Sequence, residues 1–307
     1  MGWMNKERVN IVLSHHTLRY AYQKNPTDEG LVSYGELELP DGVMEDGQIL
    51  DEDAFQDLLD GLVRENRWKR KKLFFAVPDD TVVMREIQIP SSLTEEEAYG
   101  YVKTQVGHGI YLPFPDPSIA LQFLEVQEEQ EERDVLLFAY PKEKIAAFEK
   151  VFQKAGFKPA AADLTSLSVY RYFYHHRNSM QSEKEHVLLV NWNRDALVLT
   201  AFRHHQAIFS RNMKMDSDIQ DVNGEQEMAQ LEEHLLEINR ILDFYHFSIS
   251  KGEAAIQQLL LTGDFPLLAE VEKRLSDTTA LPIENFAQEE MPARYISVLG
   301  LSLKKDA

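Results

Sequence analysis

Val9-Asn10-Ile11-Val12-Leu13 opens the chain, and Val187-Leu188-Leu189-Val190 opens its second half. These two stretches, read together, decide the fold. After the first come a turn and two further β-forming runs, over 18–23 and 34–39. Asn25-Pro26, Asp28, Gly30 and Pro40-Asp41-Gly42 punctuate them. Runs rich in branched and aromatic residues between such turn formers predict strands in a meander. The second stretch is followed in the same way, by runs over 196–202 and 206–212. In both halves helical patterns come next. One strand order used twice, without a repeat in sequence, points to two sheets built on one plan.

Working outward, residues 51–65 carry Phe55, Leu58, Leu59 and Leu62 at helical spacing. Lys69-Arg70-Lys71-Lys72 precedes the apolar run 73–77 and reads as the solvated mouth of a buried strand. A strand over 82–89 follows. Thr94 with Glu97 has the form of a capping box, starting a helix that carries Ala98, Tyr101, Val102, Gln105 and Val106 on one face. Gly107 and Gly109 weaken its end, and Pro113-Phe114-Pro115 stops it. Strands over 119–126 and 134–140 flank the acidic tip 128–132, so residues 79–141 form a strand–helix–strand–strand module.

Next come a helix over 142–155, a strand over 159–164, a helix over 165–174 and a polar linker over 175–185. In the second half, 216–227 reads as a loose acidic stretch. A helix then places Met228, Leu231, Leu235, Ile238, Leu242 and Tyr245 on one stripe. The stripe spans under three heptads, which favours one core-packing helix over a coiled coil. A strand over 259–261, a helix over 266–275 and an apolar segment over 295–303 complete the chain. The expected domains are a first lobe, 1–180, containing the inserted module 79–141, and a second lobe, 181–307.

Of the 307 residues, 44% are apolar and 27% charged, which suits a globular protein with a large core. A formal net charge of −19 opposes nucleic acid and anionic lipid alike. Cysteine is absent, which removes disulfides, thiol nucleophiles and cysteine–zinc sites and fits a reducing cytoplasm. Residues 1–12 do not read as a signal peptide, and no apolar run approaches the ~20 residues of a spanning helix. Histidine pairs at 15–16, 175–176 and 204–205 point to opposite faces wherever they lie on strands, so no metal site is expected.

Several local patterns have a family likeness: Gly42-Val43-Met44-Glu45-Asp46-Gly47-Gln48-Ile49, Val77-Pro78, Ile87-Gln88-Ile89-Pro90, Tyr111-Leu112-Pro113-Phe114-Pro115, Ala155-Gly156-Phe157, Ile238-Asn239-Arg240-Ile241-Leu242-Asp243-Phe244-Tyr245 and Leu260-Leu261-Thr262-Gly263. In order and spacing they resemble the type IV pilus assembly protein PilM family over nearly the whole chain. The module also resembles that of the cell-division protein FtsA. The resemblance implies an α/β, two-lobed actin-like (ribonuclease-H-like) fold with the small module inserted in the first lobe. It implies a cytoplasmic protein, peripheral on the inner face of the cell membrane, in a pilus or competence pseudopilus platform. A PilN-like bitopic membrane protein is the implied partner, through its N-terminal cytoplasmic peptide. Other platform proteins and the chain itself are further partners, with no direct membrane insertion.

Members of that family can hold ATP between the lobes, which calls for glycine-bearing turns and an aspartate that organises magnesium. Where the family's first turn reads Asp-Ile-Gly-Ser, this chain has Val12-Leu13-Ser14-His15. Its second turn, again Asp-Ile-Gly, is Asn191-Trp192-Asn193. Its third, Thr-Gly-Gly-Gly, is Thr262-Gly263-Asp264-Phe265. Valine cannot bind magnesium, Asn191 lacks the charge, and Ser14, Asn193 and Asp264 stand where glycine would admit phosphate. Asn193 is able to take a left-handed backbone, and His15-His16 could fill the vacated pocket. The expectation is no catalytic residue, no metal, no cofactor and at most weak ATP binding through backbone amides. The alternatives are an actin-like superfamily ATPase or kinase with unorthodox loops, and an FtsA-like division protein. For the latter, the stretch after Leu301 is too short for an amphipathic anchor.

The module's helix carries Tyr99, Tyr101, Val102, Val106, Ile110 and Tyr111, more apolar and aromatic residues than a module this small readily hides. Tyr101, Val102, Ile110, Tyr111 and Phe114 are therefore the expected peptide-binding residues, in a groove between the module and the first lobe. Packing of these side chains on the module's own sheet is the competing expectation.

Overall fold

The computed structural model describes residues 7–25, 27–124, 131–176, 186–215, 225–285 and 292–305. In chain order, β1 (Arg8–Leu13), β2 (Thr17–Gln23) and β3 (Leu31–Glu38) lead to the short pair β4 (Met44–Glu45) and β5 (Gln48–Ile49). Then come α1 (Glu52–Asn66), β6 (Lys72–Val77), β7 (Val83–Pro90), α2 (Glu95–Gln105), β8 (Pro117–Phe123), β9 (Glu132–Pro141), α3 (Lys142–Lys154), β10 (Lys158–Leu164) and α4 (Thr165–His176). The second half runs β11 (His186–Trp192), β12 (Ala196–Arg203), β13 (Gln206–Lys214), α5 (Glu225–Phe244), β14 (Gln258–Thr262), α6 (Leu268–Thr278), β15 (Ile283–Asn285) and α7 (Ile296–Ser302). A π-helical turn, Tyr245–Ile249, extends α5. Among the described residues no helix is long and apolar enough to cross a membrane.

The chain divides into two compact units. One comprises Met1–Asp41, Arg70–Asp79 and Lys158–Ala307, and holds two five-stranded sheets ordered β10-β6-β1-β2-β3 and β15-β14-β11-β12-β13. In each, the leading strand pairs antiparallel with the next and parallel with the strand returning from the helices, β6 or β14. The expected duplication is real: the two orders are identical. β1 is buried throughout, and β11 nearly so, as strands flanked on both sides must be. Leu231, Leu235, Ile238 and Tyr245 of the α5 stripe pack on Leu188, Val190, Leu199 and Leu259, making one core helix rather than a coiled coil.

Helices α4 and α7 pack together, and α7 also packs on β1 and β2. The carboxylate of Asp79, itself buried, accepts from the N–H groups of Thr165 (3.0 Å) and Ser166 (2.7 Å) and so caps α4. Arg8 donates to the carbonyls of Ser302 (2.7 Å) and Lys304, satisfying the orphan end of α7.

The other unit, Gly42–Lys69 and Asp80–Phe157, joins α1 and α3 to a three-stranded sheet ordered β7-β9-β8. The strand–helix–strand–strand order is as expected, and the Thr94–Glu97 capping box is formed. Ile89, Ala98, Val102, Ile110, Val135 and Leu137 make its core.

Some boundaries differ from the sequence reading. β3 begins at Leu31, α5 at Glu225 instead of Met228, and α6 at Leu268. β4, β5 and β15 are additional, too short to show a period. The final apolar segment is helix α7. Most of the expected linker 175–185, of the acidic tip and of the loose stretch 216–227 lies outside the described residues.

Candidate functional site

Strand register fixes which turn residues correspond. Leu13 pairs with Leu18 across β1–β2, and Trp192 with Leu197 across β11–β12. Val12 therefore matches Asn191, Ser14 matches Asn193, and His15 matches Arg194. The turns close alike, Ser14 N–H on Thr17 C=O and Asn193 N–H on Ala196 C=O, both at 2.9 Å. That leaves the next amide in each, His15 and Arg194, pointing away from its own hairpin.

All six positions singled out in the three turns, Val12, Ser14, Asn191, Asn193, Gly263 and Asp264, line one cavity of about 40 Å³ within the first unit. The sequence reading located the cleft. It missed what fills it. Arg19 of β2, almost wholly buried, extends into the cavity and forms an ion pair with the Asp264 carboxylate. Its Nε donates to Glu36 at 3.2 Å, and Arg294 lies 3.4 Å from the other Glu36 oxygen. The second Asp264 oxygen accepts from the Arg194 N–H at 3.0 Å. Asp195 accepts from the His15 N–H at 3.1 Å. Charges thus alternate across the cleft from Arg294 through Glu36 and Arg19 to Asp264.

Two details of the sequence reading need correction. His15 and His16 do not fill the pocket; only the His15 backbone takes part, and Arg19 holds the space. Asn193 does not take a left-handed backbone; its side chain donates to Asn191 Oδ1 at 3.1 Å. Gly263, by contrast, has φ +129°, and a Cβ there would lie 1.8 Å from the Trp192 carbonyl oxygen. The glycine is held by close backbone approach. Phe265 stacks on Trp192 with ring centres 5.0 Å apart, so its bulk joins the core. An arginine two residues beyond the first turn, with an aspartate in each of the others, was the available sequence signal. Among the described residues no cluster of three or more His, Asp or Glu is placed to hold a metal.

The five expected partner-binding residues separate. Val102 is fully buried and Ile110 nearly so, both within the module's own core, so packing wins for this pair. Tyr111 is 69% exposed, Tyr99 and Tyr101 are exposed, and Phe114 is half-buried. Gly107 has a positive φ, with open space around it.

The model of the type IV pilus assembly protein PilM family matches residues 16–221. The chain belongs to that family. Among solved structures, the PilM-PilN type IV pilus biogenesis complex matches with a TM-score of 0.80 at 18% identity, over 97% of this chain and 98% of that one. The ethanolamine utilization protein EutJ from Carboxydothermus hydrogenoformans matches at 0.55, 9% identity, 97% and 89% coverage. A protein of actin-like ATPase fold and unknown function from Bacteroides thetaiotaomicron matches at 0.53, 14% identity, 98% and 97% coverage. PilM family members and these proteins share the actin-like fold. No curated protein is significantly similar in sequence.

Proposed function

We propose that the chain is a non-catalytic cytoplasmic scaffold of a type IV pilus or competence pseudopilus assembly platform. It is held at the inner face of the membrane by the N-terminal cytoplasmic peptide of a PilN-like membrane protein. Family membership carries the reading, together with the likeness of nearly the whole chain to a protein of a PilM-PilN complex.

Mg-ATP fits the cleft residues poorly. Val12 offers magnesium nothing, and the His15 and Arg194 amides are already taken by carboxylates. A cavity of about 40 Å³ compares with roughly 300–1,000 Å³ for ligand pockets. Magnesium and preorganised donors supply most of phosphoryl-transfer catalysis, so this reading excludes turnover. Calorimetry with Mg-ATP is expected to give no binding in the micromolar range, and a phosphate-release assay no turnover above a heat-killed control. Micromolar affinity or steady hydrolysis sinks the non-catalytic reading.

The peptide docks on the module around Tyr101, Tyr111 and Phe114. Aromatic anchors cost ~2 kcal/mol or more on truncation, about thirty-fold in affinity. Tyr101→Ala, Tyr111→Ala and Phe114→Ala are measured against the partner's N-terminal peptide, with circular dichroism as the folding control. Wild-type affinity in all three folded variants places the docking site elsewhere.

A further inference from the structure

We propose that Asp195 and Asp264 act as built-in anions, a carboxylate latch that occupies the turn amides and holds the two sheets of the first unit closed without a ligand. The inference extends the nucleotide-free reading of the cleft and stands on separate observations.

The His15 and Arg194 amides are equivalent by register, and the hairpin bond of each turn uses the amide before them. An N–H that the hairpin bond of its own turn does not use is a place for negative charge, and the two turns present one each. Both are occupied from within the chain. Asp195, in the turn of the second sheet, reaches across to His15 in the turn of the first. Asp264, after β14, uses one oxygen for Arg194 of its own half and the other for Arg19 of the opposite half. Every link but Asp264–Arg194 crosses between the sheets. Arg19 is 7% exposed and Asp264 20%, so salt screens their pair little. Removing Asp264 leaves Arg19 with Glu36 as its carboxylate partner and takes the acceptor from the Arg194 amide. The latch requires these contacts and Asp195–His15 to open together.

The test is residue-resolved amide exchange on the full chain. In Asp264→Ala, the Arg194 amide loses its acceptor directly. The latch further requires His15, whose acceptor is Asp195, to exchange at least about ten-fold faster as the cleft opens. Faster exchange at Arg194 with His15 unchanged means two local contacts and overturns the latch. Asp264→Asn, which removes the charge but keeps an oxygen able to accept from Arg194, reads the acceleration at His15 alone if the alanine variant does not fold. A second arm adds millimolar inorganic pyrophosphate. It is expected to protect both amides in Asp195→Ala/Asp264→Ala and neither in wild type. Protection in wild type, or none in the double variant, overturns the built-in anion. Tight Mg-ATP binding would instead remove the non-catalytic reading, so the two failures are distinct.

Discussion

β1 and β11 lead the two sheets at equivalent places, yet their residues differ in kind. Where β11 has Val187 and Leu189, β1 has Arg8 and Asn10, and β2 adds Arg19 and Gln23, all buried. The second sheet is covered by α5 and α6 through a large apolar cluster, with Asn285 of β15 donating to Glu272 of α6 at 3.2 Å. The first also receives the C-terminal end of α7, whose last carbonyls need donors. Arg8 supplies them, its guanidinium 4.0 Å from the Phe74 ring centre, and Gln23 donates to the Ser302 carbonyl at 2.8 Å. Strand order is thus indifferent to these side chains. Arg8 and Gln23 are tolerated because α7 brings carbonyls to them, while Asn10 donates to the Ala21 carbonyl of its own sheet at 3.2 Å.

The largest expected effects lie at two glycines, one against α4 and one against β11, where another backbone comes close. A Cβ on Gly300 would lie 1.7 Å from the Ser168 carbonyl oxygen, wedging α7 from α4. On Gly263 it would meet the Trp192 carbonyl at 1.8 Å, at a φ that side chains rarely adopt. Gly300→Ala and Gly263→Ala should each cost more than about 4 kcal/mol or abolish folding, read by urea denaturation. Gly61→Ala in α1, with nothing within 4 Å, is the control and should gain up to ~1 kcal/mol. Wild-type stability in either of the first two would mean that its close approach is not needed.

A smaller effect sharpens the contrast itself. Arg8→Val gives β1 the residue that β11 carries at that place. The Lys304 carbonyl loses its donor and the Ser302 carbonyl keeps only Gln23, at an expected cost of about 1–3 kcal/mol. A loss under ~0.5 kcal/mol would show the polar character of the first sheet to be dispensable.

How much of this was legible beforehand follows from sequence separation. The central strands were readable because apolar runs between turn residues are local signals. The three turns came from the family resemblance, and their six positions line one cavity. Arg19 was not readable, because its meaning depends on Asp264, 245 residues away. Asp195 likewise acts on His15 at a separation of 180. For the module, Ala98 and Val102 share a helix phase and face its core, while Tyr99 and Tyr101 flank them, outward. Counting apolar residues along α2 therefore overstated its free surface. Ile110, beyond the helix end, folds back because its N–H donates to the Gln105 carbonyl at 2.9 Å.

The smallest expected effect distinguishes the halves by pH. Glu7 stands just before β1 where His186 begins β11. Glu7 pairs with Lys71, and that hydrogen bond holds its carboxyl below the ordinary 4.5. His186 lies below its ordinary 6.5 because burial disfavours its charged form, with His204 and Arg203 adding repulsion. Tyr245, pushed up to about 12 by burial, stays protonated and can donate to the neutral His186 Nδ1. Both shifts are downward, so both groups bind fewer protons folded than unfolded. Each contributes stability that is present above its ordinary value and lost as pH falls through its lowered one. The windows differ. Acidification below 6.5 should first weaken the second half at His186, and only below 4.5 the first half at Glu7. Unfolding free energy is measured against pH in wild type, His186→Gln and Glu7→Gln. The histidine variant should flatten the slope that begins below 6.5 and leave the limb below 4.5 intact; the glutamate variant should do the reverse. If His186→Gln keeps the wild-type slope in the upper window, the proton is taken up elsewhere and the halves do not differ in this respect.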